Sequence, residues 1–395
     1  MRTFKINLTK RLMQIGMLVF ISLGYTSCEN ELMEIEENDE TLAMKSSDSF
    51  EFKGPVFDIA STPDGSILVG VNEGQSRTVQ IIRNGRLRTM MNVDNATSDI
   101  NGIAPIGAGN VFITTAGADM AAEGELYRVS NGNSRMVADL AAYEREFSPD
   151  ALAGPQWKKQ ICEDIDGFTP GPQNNPYKVV ATSGNRAVVA DAAGNTVLSA
   201  TTTGNIDWLA IMTPPVGEDG NWLVRWKAED NTIPCYVQPV PTGVAVDKDG
   251  YIYVGELTGT MSEEDGTFPI GLSRVWKIAP GATNVVCDQT NPSSDCELII
   301  DGLTSVIDLE IGPDGLLHVV EFDGGSWFAS FIPGLATGGT ISSYDLNGNL
   351  VEIVASNLSF PSAIAFDKDG GLWVLENNAI ALPDKERLPT VRLLK

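Results

Sequence analysis

The 395-residue chain predicts an all-β fold, a six-bladed β-propeller closed by an N-terminal strand and carrying loop insertions, on three observations. First, Pro241 to Glu256 (PTGVAVDKDGYIYVGE) reads as a hairpin. Val244 and Val246 alternate with smaller neighbours, Asp249-Gly250 supplies the positive-φ pair of a tight turn, and Tyr251 to Val254 is the β-branched and aromatic return strand. Second, the hairpin recurs, starting at Ile59, Ile103, Val179, Leu309 and Ile364. In all six copies the final position (Val71, Thr115, Asp191, Glu256, Glu321 or Glu376) lies twelve residues beyond the first apolar one, and such fixed spacing marks a repeat architecture. Third, the last copy stops one strand short at Thr390 to Leu394, while Ser49 to Lys53 alternates correctly to supply that strand and leave no open seam.

In chain order, residues 1–27 read as a secretory leader: Arg2, Lys5, Lys10 and Arg11 precede an apolar run, Leu12 to Gly24, too short to span a bilayer comfortably. Tyr25-Thr26-Ser27-Cys28 resembles a lipoprotein signal in which Cys28 becomes the lipidated N-terminus, with Tyr25 standing where Leu is usual. Ordinary cleavage that leaves a free cysteine is the alternative. Residues 28–45 are crowded with acids from Glu29 to Glu40 and hold no aromatic residue, so they read as a solvated tether. This tether resembles the acidic segment that follows the lipidated cysteine in surface-exported lipoproteins of some Gram-negative bacteria. The propeller occupies residues 46–395.

Each hairpin is followed by a further strand pair, so the repeating unit is a four-stranded blade. Asn84-Gly85, Asn131-Gly132 and Asn347-Gly348 mark the second turn of blades 1, 2 and 5. Residues 140–147, LAAYEREF, have helical character. Long connections fall at 148–175 and 213–239, the second holding Trp222, Trp226 and Cys235; counting it as a blade would give a seven-bladed ring.

The chain carries 52 acidic and 27 basic residues, a formal −25, and losing the four charges of the leader takes it to −29. That balance excludes nucleic-acid binding through a basic patch and suits an extracytoplasmic setting. With Cys28 lipidated, four cysteines remain for an oxidising compartment. Cys287 and Cys296 bracket a short polar loop and are expected to pair, leaving Cys162 with Cys235.

Asn175-Pro176-Tyr177 through VVADAAGNTVL, VPTGVAVDKDGYIYVGELTG with the downstream FPIGLSRVWKIAPG, and the Ile307-Asp308-Leu309 hairpin together resemble the ScyD/ScyE family of secreted propellers. The helical LAAYEREFSPDAL stretch is similar to a family feature, and the likeness covers roughly residues 54–378. It implies the fold and supplies no catalytic residue to transfer. NHL-type and gluconolactonase-like propellers are more distant analogues.

Asp191, Glu256, Glu321 and Glu376 occupy one register position, so the ring would place them around one mouth of the channel. Two uses fit: a calcium site, as lactone-hydrolysing propellers have, or carboxylates that accept hydrogen bonds from the backbone of the following turn, as Asp191 with Asn195 nearby would. Asp58 and Asp308 sit one residue before the first apolar position, where Lys178, Gly102, Gly243 and Ala363 stand in the other blades, and can also approach the axis. His318, the one histidine, shares a register with Leu68, Phe112, Val188, Tyr253 and Trp373 and reads as a wedge between blades, which argues against histidine-dependent catalysis. Trp157, Trp222, Trp226 and Trp327 lie in insertions, where they could stack on a flat ligand or cover loops.

The expected function is a non-catalytic cell-envelope lipoprotein, at the outer membrane or surface of a Gram-negative bacterium, whose propeller face binds a small molecule, a glycan or a protein. It would touch the membrane only through its N-terminal lipid. The alternative is a calcium-dependent, lactonase-like hydrolase with the ion at the central channel.

Overall fold

In the computed structural model, six four-stranded antiparallel blades follow one another along the chain. The structure describes residues 48–93, 96–107, 109–154, 173–226, 234–259, 268–332, 334–378 and 387–394. The leader, Cys28, the tether, Trp157 and Cys162 lie outside them.

The inner strands are Val56–Ser61, Asp99–Gly107, Pro176–Ser183, Pro241–Val246, Val306–Ile311 and Ala363–Phe366, for blades 1 to 6. Each packs against the next and the last against the first, which closes the ring. Closure joins the two ends of the chain. Ser49–Glu51 forms the outer strand of blade 6, pairing antiparallel with Thr390–Leu393 in the register Phe50↔Val391, and the Phe50 ring stacks over Trp373 at 6.3 Å.

Alternation along the strands fills the space between blades. Ile59 points into the interface of blades 6 and 1, with Ala363, Trp373 and Leu375, whereas its neighbour Ala60 packs into the interface of blades 1 and 2, with Ile103 and Ile113. The same arrangement repeats between blades 2 and 3, 3 and 4, 4 and 5, and 5 and 6. Inner strands need small residues where they converge: a Cβ on Gly102 would stand 2.6 Å from Thr114 Oγ1 and 2.7 Å from the Tyr177 carbonyl oxygen.

The insertion after blade 3 adds no seventh blade. Among the described residues its strands, Val224–Trp226 and Cys235–Tyr236, form a separate two-stranded ribbon. A feature not anticipated is Val285–Cys287, which pairs parallel with the outer strand of blade 3, Ile206–Met212, although it belongs to the chain of blade 4. The disulfide Cys287–Cys296 ties this strap to the outer strand of blade 4. Cys235 is also disulfide-bonded. The helix Leu140–Phe147 forms as expected, capped by Asp139, whose Oδ1 accepts the N–H of Ala142 at 2.7 Å.

The two faces differ. Connections at 140–175, 213–240, 257–272, 322–338 and 377–389 all leave from the face where inner strands begin and second strands end. The opposite face is made mostly of tight turns such as Asp249-Gly250 and Asn347-Gly348, with 279–295 its one long connection. Truncation supplies a test of closure. Starting the chain at residue 54 should expose the Thr390–Leu393 edge and lower the melting temperature by roughly 5–10 °C, while starting at residue 48 should leave it unchanged; thermal denaturation of both truncations decides.

Candidate functional site

The end of each second strand lies on the loop face, and there the four register acids are held separately. Asp191, fully buried, accepts the N–H groups of Asn175 (2.7 Å) and Gly194 (3.0 Å) on Oδ1. Glu321 accepts the Thr304 N–H at 2.7 Å, and Glu376 the Ser359 N–H at 2.9 Å together with Arg392 Nε. In these three blades the acid catches the backbone just before its own inner strand begins, so it latches the incoming chain to the blade. The reading as hydrogen-bond acceptors anticipated the Asp191–Gly194 contact with the following turn; the contact with the preceding connection is the wider rule.

Glu256 uses side chains instead. It accepts Arg274 Nε at 2.7 Å on Oε2 and the Trp276 indole N–H at 2.9 Å on Oε1, and the guanidinium lies 5.0 Å from the Trp276 ring centroid. Extending the ladder register Val254↔Trp276 sets Glu256 opposite Arg274, so this pair could have been found from the sequence once the strands were aligned. Burial pushes Asp191 up to about 6, against its backbone hydrogen bonds, and Glu256 up to about 7 despite Arg274. In blade 1, where Val71 holds the slot, the next residue works instead: Asn72 Oδ1 accepts the Ile100 N–H at 2.8 Å and Nδ2 donates to the Ile100 carbonyl at 3.1 Å.

A second constellation lies on the axis. Lys178 of blade 3 places Nζ against Asp58 Oδ1 of blade 1 and 3.1 Å from Asp308 Oδ1 of blade 5, with all three residues at most 5% exposed. Blades 1, 3 and 5 are not neighbours, so their inner-strand side chains can meet only at the centre. The remaining carboxylate oxygens tie in the blades between: Asp58 Oδ2 accepts the Ile103 N–H at 2.7 Å and Asp308 Oδ2 the Ile364 N–H at 2.9 Å. Burial opposes the ammonium charge, but the two aspartates outweigh it and hold the Lys178 pKa above its ordinary value. Burial raises Asp58 to about 6, Lys178 opposing and Asp308 adding to the rise. The signal missed in the sequence was Lys178 itself, a lone cation in the slot of Asp58 and Asp308.

Glu310, two positions beyond Asp308 and half-buried, is pushed up to about 8 by burial and then by Asp308, with Lys178 opposing and Asp58 adding. His318 wedges between blades 5 and 6 as expected, its ring 4.9 Å from Phe366 and Nε2 3.1 Å from Asp314 Oδ2.

Trp222 donates its indole N–H to Asp288 (3.1 Å) and meets Tyr236 edge-on, while Trp327 donates to the Thr258 carbonyl (3.1 Å) and stacks on Phe328 at 3.9 Å. Trp222 thus ties the insertion to the 279–295 connection, and Trp327 braces two loops of the insertion face. Trp226 belongs to the two-stranded ribbon, and its side chain lies outside the described residues.

No family model and no curated protein sequence matches the chain. Solved structures do. A putative oxidoreductase (glucose dehydrogenase) from Thermus thermophilus is 16% identical over 88% of this chain and 99% of that chain, with a TM-score of 0.49. The calcium-binding protein regucalcin from Agrobacterium tumefaciens is 12% identical over 87% and 90%, with a TM-score of 0.49. A gluconolactonase from Xanthomonas campestris is 12% identical over 87% and 88%, with a TM-score of 0.46. The likeness is one of architecture, and no activity transfers through it.

A resident calcium ion does not fit the register acids as they stand. Each accepts hydrogen bonds from its own blade, Glu256 and Glu376 face arginines, and among the described residues no three metal-ligating side chains converge.

Two measurements probe the axial cluster. Lys178→Met leaves Asp58 and Asp308 buried without their cation and should cost about 3–5 kcal/mol in urea denaturation at pH 7, most of it regained on adding Asp58→Asn and Asp308→Asn. Unfolded Glu310 ionises near 4.5 whereas the folded chain keeps the proton to about 8, so this group's contribution to stability falls as pH rises through that window. Glu310→Gln should therefore melt roughly 2–4 °C above the parent at pH 8.5, the figure reduced for partial exposure, and together with it near pH 4.5.

Proposed function

We propose that the protein is a non-catalytic binding propeller of the bacterial cell envelope, anchored by a lipid on Cys28, with its loop face turned toward a small-molecule, glycan or protein ligand. The observation that carries this reading is the asymmetry of the ring: five long connections leave from one face, and the axis is filled by Asp58, Lys178 and Asp308. A rigid scaffold that crowds its variable segments onto one face is the usual arrangement for recognition. On the same face, the acids that could have served chemistry are engaged with their own blades. The acidic tether suits an outer-membrane or cell-surface address in a Gram-negative bacterium, and the ScyD/ScyE-like motifs suit a secreted propeller.

The second reading, a calcium-dependent lactonase-like hydrolase, draws on the recurrence of acids at Asp191, Glu256, Glu321 and Glu376. It requires at least Glu256 to leave Arg274 and Trp276. Metal analysis, a melting curve with and without EDTA, and an assay on simple lactones separate the two. The binding reading expects no stoichiometric divalent ion, a melting temperature unmoved by EDTA and no turnover. Bound calcium, a drop in melting temperature on chelation and lactone turnover would favour the hydrolase. Replacing Cys28 with Ala should move the protein from the membrane pellet to the soluble fraction; continued pelleting would remove the lipid anchor from the account.

A further inference from the structure

Blades 1, 2 and 3 carry an unbalanced set of arginines at their turn-face ends, in a chain whose formal charge is −25. Third strands run down to this face and fourth strands run back from it. In blade 1 the tight turn Asn84-Gly85 sets Arg83 directly opposite Arg86 in the ladder, and the exposed Arg88 follows two residues on, on the same side of its strand. Blade 2 repeats the arrangement with Arg128 opposite Arg135, and blade 3 adds the exposed Arg186 beside its first turn. Like charges that face each other across a ladder destabilise it, so both pairs call for an anion. Among the described residues one carboxylate answers: Asp64, which pairs with Arg83. Arg128 and Arg135 reach only neutral oxygens, the Val129 carbonyl, Asn110 Oδ1 (3.3 Å) and the Thr202 carbonyl (3.3 Å), and Arg86, Arg88 and Arg186 form no ion pair with a described residue.

The chain's most acidic segment ends beside this surface. Thr390–Leu393 runs from the loop face to the turn face, and Ser49–Glu51 pairs antiparallel with it. Asp48, whose carbonyl accepts the Leu393 N–H at 2.8 Å, therefore stands on the turn face at the outer edge of blade 6, which adjoins blade 1. Seven of the twelve residues from Glu29 to Glu40 are acidic, and Lys45 is the one base between them and Asp48. Extended chain spans up to about 26 Å from Asp48 to Glu40 and about 63 Å to Glu29, enough to reach the outer edges of blades 1 and 2.

We infer that the segment Glu29 to Glu40 docks on the turn-face arginines of blades 1 and 2, so that the tether is held along the propeller instead of leaving it solvated. Covalent attachment favours this occupant. It supplies an effective concentration of about 1 mM, so a Kd of about 1 mM for the same segment in trans keeps half of the molecules docked. The net negative charge opposes the approach of a free polyanion, a second copy or an anionic membrane, but not of a segment already attached. The other neighbour of blade 6 offers no rival surface: the outer strand of blade 5, Leu350–Leu358, exposes Leu350, Val351 and Ile353 and contains Glu352 but no base. Exposed ion pairs contribute little to stability, so the melting curve of the chain begun at residue 48 does not report this contact. The docking goes beyond the binding reading and does not rest on it.

Energy transfer within the full mature chain carrying Cys28→Ala tests it. A donor at Met33→Cys is read against an acceptor at Thr89→Cys, on the outer strand of blade 1, or at Ile353→Cys, the matching position of blade 5. An undocked tether, leaving from blade 6 between them, samples both sides alike. Docking predicts transfer to position 89 about twofold or more above transfer to position 353 in about 20 mM salt, with parity in about 500 mM. Arg86→Glu with Arg88→Glu should bring parity at low salt, and so should Glu34→Gln with Glu36→Gln and Glu37→Gln, a variant that leaves the propeller itself unaltered. The inference is overturned if transfer to the two positions is equal at low salt, if the preference survives high salt or both sets of substitutions, or if it grows with protein concentration, which would place the tether on a second copy. Equal transfer, with phosphatidylglycerol vesicles binding the parent but not the Arg86→Glu, Arg88→Glu variant, would assign the arginines to lipid phosphate instead. None of these outcomes bears on the EDTA and lactone results.

Discussion

The ammonium of Lys178, held between Asp58 and Asp308 on the axis, is the contact on which the geometry of the ring depends. Six inner strands converge there, and two devices fill the space at that level. Blades 2, 4 and 6 contribute Gly102, Gly243 and Ala363, which let neighbouring backbones approach. Blades 1, 3 and 5 contribute charged side chains long enough to meet across the centre. Two aspartates in a desolvated position would repel without the shared Lys178 ammonium, and Ile103 and Ile364 satisfy the remaining oxygens with backbone N–H groups. An ion cluster that stitches blades 1, 2, 3, 5 and 6 to one another is a positional constraint as much as a stabilising one.

The register acids have a complementary and more local task. Each stands where a second strand ends on the loop face, and each spends its charge on backbone N–H groups or on an arginine of the same blade. Their burial raises the pKa of Asp191 and Glu256, so they act as well-placed acceptors at a cost in desolvation. With axis and blade ends fixed in this way, the start of the insertion, Pro214 to Val216, lies against Arg274 at the loop face of blade 4.

Much of this was legible from the chain. The twelve-residue hairpin spacing located all six inner and second strands, because an alternating strand, a Gly turn and a β-branched return leave little conformational choice. The N-terminal strand was readable because the final blade lacked one. His318 was readable as a wedge because its register in the other blades is held by packing residues. What was not legible depended on contacts between distant blades. The strap Val285–Cys287 is three residues long and pairs in parallel with a strand more than seventy residues earlier, which no local pattern announces. Lys178 lies in the right slot, but its partners come from blades 1 and 5, and only closure of the ring brings them together. The shared position of the acids left a joint calcium site and separate hydrogen-bonding uses both open; Asp191, Glu321 and Glu376 each hold backbone of their own blade, and Glu256 holds Arg274 and Trp276.

The most direct test is a high-resolution crystal structure of the soluble chain grown in millimolar terbium, with anomalous data collected to locate any bound ion. The account predicts Lys178 Nζ in contact with both Asp58 and Asp308, and no anomalous peak shared by Asp191, Glu256, Glu321 and Glu376. A terbium ion on the axis, with those carboxylates turned toward it and Arg274 released from Glu256, would contradict it.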